Sequence, residues 1–359
     1  MKLVTSGDTG VDVKKIAGLG LALAVALAVS GCTSTGAGSG EDVLVVEGYG
    51  AEYQQLFDEH IGTPFTEQTG IQVQYSASGA ASEHYAAIRA AHGDPGFDVA
   101  VMTNLELFQG SKDGLLDPVS EQQVPNLAKV SKKIRDTTYG AGVIHDVQQV
   151  ALMYKRSLFP TPPTSWNVMW DPKYRSGALV FNPTNIMGFY QVLSAAELDG
   201  GSITDAAPGF ARIADLATSA LATPQASAEA VPYMEKGTAT VFPYQDGRAA
   251  IYAETTDYDF TVPQEGTYAV LGALGIPVGA AHKAAAHRFM DYWLSPEVQQ
   301  RWATAYNVGP AVTGLQFPAE FAAKHVTTAE QIDKLKIADP EIVARDRTEW
   351  SRKWAEAVR

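Results

Sequence analysis

The chain has 359 residues, with 40 acidic and 27 basic side chains, a formal net charge of -13 and one cysteine. The length exceeds what one hydrophobic core usually serves, so two lobes are expected; 46% hydrophobic and 19% charged residues describe a folded globule, neither disordered nor membrane-spanning. The acidic balance excludes a nucleic-acid face, and a lone cysteine excludes an internal disulfide, a thiolate zinc site and an iron–sulfur cluster.

That cysteine is Cys32. Lys14 and Lys15 precede an unbroken apolar run at 16–29 (IAGLGLALAVALAV), followed by Ser30, Gly31 and Cys32. A basic flank, a short apolar stretch and small exit residues make a secretory signal. A membrane span needs about 20 apolar residues, so the run is too short to remain as one. The tetrapeptide VSGC (29–32) resembles the bacterial lipobox, which implies lipidation of Cys32 after removal of residues 1–31. Residues 33–40 (TSTGAGSG) then read as a flexible tether between membrane and folded body. An exported protein, lipid-anchored on the extracytoplasmic side, is expected.

The folded part opens with the apolar run VLVV (43–46), suited to a strand buried on both faces. GYGAEY (48–53) follows it, but Tyr53 stands where the third glycine of a dinucleotide fingerprint is required, so no such cofactor is expected. An amphipathic helix is predicted over 54–68, stopped by Thr69 and Gly70. A strand at 71–75, a helix at 83–91 and a strand at 97–102 continue the alternation. Repeated βα order predicts a parallel, doubly wound sheet, whose ligands sit beyond the carboxyl ends of the strands. That rule places Glu52, Tyr53, Ser76, Ser78, Thr103 and Asn104 on one rim. Further strands are read at 150–154, 178–181 and 239–242. Helices are read after Asn185 through 193, at 209–221, 283–293, 296–306 (Ser295 capping, Pro296 in the first turn) and 342–358.

Several phrases, in order, resemble the extracellular solute-binding proteins of ABC importers, closest to the spermidine/putrescine-binding group. They are FTEQTGIQV (65–73), FDVAV (97–101), TSW (164–166) with WDPKY (170–174), PYM (232–234), GIP (275–277) and AHRFMDYWLSPEV (286–298). The resemblance implies an α/β, two-lobed periplasmic-binding-protein fold of type II. Each lobe is then a doubly wound, mostly parallel sheet, with the ligand cleft between lobes. It implies lobe 1 at 42–146 plus 272–314 and lobe 2 at 147–271 plus 315–359. The implied function is capture of a small polar solute, with or without an amine, by hinge closure and its delivery to a membrane permease. The protein is expected to act as a monomer with no cofactor and no catalysis.

The family register sets Glu52-Tyr53 on its first-lobe Glu-Tyr pair and Thr103-Asn104 on its small polar pair. The acidic positions of the second lobe fall on Asn185 and Gly188, and a Trp-x-Asp element falls on Val270 and Gly272. Tyr244 and Asp246 lie off that register but could supply an aromatic ring and an acid. The candidate ligand-binding set is therefore Glu52, Tyr53, Ser78, Thr103, Asn104, Asn185, Tyr244 and Asp246. Arg248 is either a grip for a carboxylate or phosphonate group or a plain turn arginine. A ferric-ion carrier using Tyr49, Tyr53 and His145 is the alternative within the same fold. A lipid-anchored hydrolase ranks below it, since no G-x-S-x-G or H-E-x-x-H motif is present. Trp350 and Trp354, four apart on the last helix, are expected to dock it on lobe 2.

Overall fold

The computed structural model describes residues 42–50 and 52–358. Cys32, with the leader and tether expected around it, lies outside the described residues, and so does the side chain of Glu52. Three strands start the fold: β1 (Val43–Gly48), β2 (Gln72–Ala77) and β3 (Val99–Thr103). β1 pairs in parallel with β2 on one side and β3 on the other. The apolar runs that predicted them bury Leu44, Val46, Val99 and Val101 completely.

A long strand, β4 (Gly142–Lys155), then serves two ladders. Its first half runs antiparallel to β7 (Ala269–Gly275). Its second half runs antiparallel to β5 (Val241–Gln245) and β6 (Tyr258–Thr261). The short β8 (Gly309–Pro310) also pairs with it. Between Ile144 and Asp146 the register against β7 shifts, leaving His145 as the extra residue of a bulge. The sheet order is β2-β1-β3-β7-β4-β5. β4 and β7 are thus the strands that join the two halves.

Two hydrophobic cores flank this junction. One gathers Phe57, Phe65, Val101, Phe289, Trp293 and Trp302; the other gathers Met153, Phe181, Phe189, Phe242, Tyr258 and Trp350. Near β4 and β7 the change of core falls between Val147 and Val150 and around Val270. The stretch 315–359 divides between the cores: Val326, Ile332 and Leu335 pack in the first, and Val343, Trp350 and Trp354 in the second.

The helix read over 54–68 is broken into Glu52–Phe57, a π turn at Asp58–Gly62 and Thr63–Thr69. Pro64 has no N–H to give the His60 carbonyl. That carbonyl instead accepts from Arg301 Nε at 2.8 Å, which ties the break to the helix Pro296–Tyr306. The apolar run at 178–181 makes only a single bridge, Leu179 to Ala222, rather than a strand. A helix at Asn104–Lys112, unread in the sequence, follows β3 at once. Among the described residues no helix is long and apolar enough to cross a membrane.

Candidate functional site

Between the two cores lies a cavity of about 500 Å³ lined by residues from both halves. The carboxyl end of β1 brings Tyr49 and Gly50 to it, and the helix Glu52–Phe57 brings Tyr53. The Tyr53 ring is boxed edge-on by Tyr49 (5.0 Å between centroids), Trp302 (5.2 Å) and Tyr306 (5.2 Å). It is only 5% exposed, and its Oη has no hydrogen-bond partner. Burial is the main cause that pushes the phenols of Tyr49 and Tyr53 well above the ordinary tyrosine value. The Glu106 charge adds to it for Tyr49, and Tyr75 adds for Tyr53. Both therefore remain protonated and can donate.

The end of β3 supplies Thr103 and Glu106 through a capping box. Thr103 Oγ1 accepts from Leu105 N at 3.2 Å, and Glu106 Oε2 accepts from Thr103 N at 3.2 Å and from Thr103 Oγ1. The floor comes from the shared strands: Asp146 and Gln148 on β4, Val270 and Gly272 on β7. Asp146 is 1% exposed. Burial alone would raise its pKa, yet the carboxyl is held below the ordinary aspartate value. His145 Nδ1 at 3.1 Å, Gln148 Nε2 at 3.3 Å and Trp302 Nε1 at 3.4 Å together outweigh the burial.

The opposite wall carries Thr184 and Ile186 at the start of the helix Ile186–Leu198. Gln245 closes β5, and Arg248 lies in the first turn of the helix Asp246–Thr255. Arg347 reaches the cavity from the helix Pro340–Ala357 and donates to the Thr184 carbonyl at 2.6 Å.

Of the candidate ligand-binding set, Tyr53 and Thr103 line the cavity, and so do Arg248 and, from the ferric alternative, Tyr49 and His145. Ser78 is exposed one residue short of the lining loop that begins at Gly79, and its backbone N–H donates to the Gly48 carbonyl. Asn104 is 4% exposed at the start of its helix and does not line the cavity. Asn185 caps the helix Ile186–Leu198, accepting from Met187 N at 2.8 Å and donating to Ser227 Oγ at 3.3 Å. Its neighbours Thr184 and Ile186 are the ones that face the cavity.

Tyr244 and Asp246 are fully buried and turned away from it. Alternation along β5 sends Tyr244 into the second core and Gln245 to the cleft. The Tyr244 hydroxyl donates to the Ser227 carbonyl at 3.2 Å, and burial pushes its phenol up to about 12. Asp246 Oδ1 accepts from Gln149 N (3.2 Å) and Gly247 N (2.9 Å), while Oδ2 lies 3.5 Å from His325 Nδ1. Burial raises this carboxyl above the ordinary value.

Sequence reasoning passed over Glu106, Asp146, Gln148, Gln245 and Arg347 as ligand-facing groups. For Glu106 a signal existed, the T-x-x-E spacing of a capping box at Thr103. For Arg347 none did, because a helix about one hundred residues beyond β5 returns to the same wall.

Residues 60–328 match the family model of the bacterial extracellular solute-binding proteins. The chain belongs to this family. The spermidine/putrescine-binding periplasmic protein of Escherichia coli K12 is 22% identical over 247 residues, covering 67% of this chain and 70% of that protein. Among solved structures, an ABC transporter protein of Clostridium perfringens superposes with a TM-score of 0.75 at 22% identity, covering 88% of this chain and 100% of that one. The protein AgtB of A. tumefaciens R10, in complex with agropinic acid, gives 0.69 at 18% identity, covering 88% and 98%. The two-lobed fold with its central cleft is that of these solute-binding proteins. Like the family, this one belongs to extracytoplasmic solute transport through ABC importers. Among the described residues no group of three or more His, Cys, Asp or Glu could hold a metal ion.

Proposed function

We propose that this solute-binding protein captures a small polar solute between its lobes by hinge closure and hands it to the permease of an ABC importer. It does so as a monomer without catalysis, held to the membrane by a lipid on Cys32. The observation that carries the reading is the cavity itself. Hydrogen-bonding groups of both halves line it, including Thr103, Glu106, Gln245 and Arg248, while its floor is made of the strands common to both. A solute touching both walls binds the closed form better than the open one, which is the condition for closure on binding. The lobe boundaries follow the cores: about 42–147 with 271–335, and about 150–270 with 338–358.

The ferric-ion alternative would bind through phenolates. Two arginines, Arg248 and Arg347, line the same cavity, and among the described residues no group of three or more His, Cys, Asp or Glu stands there to complete a metal shell, which favours the organic solute.

A thermal-shift screen of the full chain with amino acids, polyamines, dicarboxylates, sugars and ferric citrate tests this. A solute at 100 times its Kd adds about 2.7 kcal/mol to stability. At least one organic solute should raise Tm, with slowed amide exchange in both helices Glu52–Phe57 and Asp246–Thr255. Stabilisation by ferric citrate alone would overturn the reading.

A further inference from the structure

The cavity sorts its charges by side. The first half and the floor present Glu106 and Asp146; the second half presents Arg248 and Arg347. Among the described residues neither arginine is ion-paired with a carboxylate. Arg347 has one N–H engaged by the Thr184 carbonyl, which aims the guanidinium and leaves its other donors over. On the acidic side stands the box of Tyr49, Tyr53 and Tyr306, with the buried, unpartnered Tyr53 Oη on the cavity wall.

Arginine pairs grip carboxylates in a two-pronged fashion that fixes orientation. Carboxylates beside phenol oxygens attract a cationic nitrogen through charge-assisted hydrogen bonds. A diamine spanning the same cavity would press one ammonium against the two guanidinium groups. A dicarboxylate would press one anion against Glu106 and Asp146.

We propose that the solute is a small zwitterion. Its carboxylate is held by Arg248 and Arg347, and its cationic nitrogen faces the tyrosine box, Glu106 and Asp146. This rests on the reading of the cavity as the capture site. Tyr53 Oη supplies the hydrogen bond that the solute completes.

Isothermal titration of the full chain with ω-amino acids of three to six carbons, glycine betaine, putrescine, spermidine and succinate reads the class directly. At least one zwitterion should bind ten-fold or more tighter than putrescine, spermidine and succinate. Arg248 is exposed, so Arg248→Ala leaves the fold intact; it should weaken that zwitterion ten-fold or more, with Arg248→Lys in between. Glu106→Gln should weaken the zwitterion but not a plain monocarboxylate such as pentanoate. Tighter binding of a diamine, undiminished in Arg248→Ala and Arg347→Ala, overturns the zwitterion and leaves solute capture standing. Binding of succinate alone does the same. Failure of every zwitterion overturns the proposal, and if only ferric citrate binds, both readings fall.

Discussion

The carboxylate of Asp146 occupies the space that a side chain on Gly272 would fill. A Cβ at Gly272 would lie 2.5 Å from Asp146 Oδ1 and 2.7 Å from its Cγ, closer than such atoms pack. The family register sets the acid of its Trp-x-Asp element at this glycine. Here an acid from the facing strand stands at the same place, positioned by the β4 bulge. Gly272→Ala should therefore destabilise the fold by about 1–3 kcal/mol, as overpacking does. Urea unfolding measures it, and a midpoint equal to that of the parent chain would show that Asp146 can move aside.

Two buried aspartates should respond to pH in opposite directions. The Asp146 carboxyl is held below its ordinary value of 3.8. Its contribution to stability is present above that value and lost as pH falls through the lower folded one. The Asp246 carboxyl is raised by burial. Its contribution is present below 3.8 and lost as pH rises through the folded value. Asp146→Asn should thus cost more at about pH 7 than at about pH 3, and Asp246→Asn more at about pH 3 than at about pH 7. Urea titrations of the two variants at both pH values would expose any parallel trend, which would mean that burial does not outweigh the hydrogen bonds at Asp246.

Gly188 shows why an acid cannot be restored at that position of the second half. A Cβ there would sit 2.3 Å from the Asn182 carbonyl oxygen and 2.4 Å from that of Phe181. Gly188→Asp should lose about 1–3 kcal/mol from steric conflict and gain no spermidine binding. Asn185→Asp, by contrast, keeps a good helix cap and should stay within about 0.5 kcal/mol of the parent. Equal stability of the two variants in thermal melts would contradict the crowding at Gly188.

How much of this was legible beforehand follows from the physics of each element. Buried strands such as β1 and β3 announce themselves as apolar runs, and the helix Pro296–Tyr306 by its proline and preceding serine. Only 150–154 of β4 was visible, because its other half carries His145, Asp146, Gln148 and Gln149, polar groups that tertiary contacts bury. On the rim, strand-end logic found Tyr53 and Thr103. It could not tell that Gln245, not its neighbours Tyr244 and Asp246, faces the cleft, since that depends on the phase of β5 relative to the second core. Arg248 was left open between a grip and a plain turn residue, and Arg347 escaped altogether: charge near a cavity is a property of folded neighbours, not of local pattern.

Trp350 and Arg347 share a helix but should separate experimentally. Trp350 stacks on Phe189 at 4.5 Å and meets Phe210 edge-on at 5.5 Å. Trp350→Ala should cost about 3–5 kcal/mol, the range for a buried aromatic, and weaken solute binding by loosening the helix. Arg347→Ala should weaken binding at least as much with under 1 kcal/mol lost, as for a surface-lining side chain. Calorimetric unfolding beside titration tells them apart; a large stability loss in Arg347→Ala would mean that its bond to Thr184 serves the fold.

Cys32→Ser should move the protein from the membrane fraction to the soluble fraction when cells are fractionated. Unchanged membrane retention would contradict lipidation at that cysteine.

The first core begins with β1 yet is closed by β7, by Phe289, Trp293 and Trp302, and by Leu335. A chain emerging residue by residue from a ribosome or a translocation channel cannot finish that core until nearly its whole length is out. The earliest segment to appear is therefore among the last to become stable, while the second core, mostly drawn from 150–270, can assemble first. Such an order leaves β1 without its core partners until they have followed it out. It also leaves the cleft unformed until the last helix has delivered Arg347.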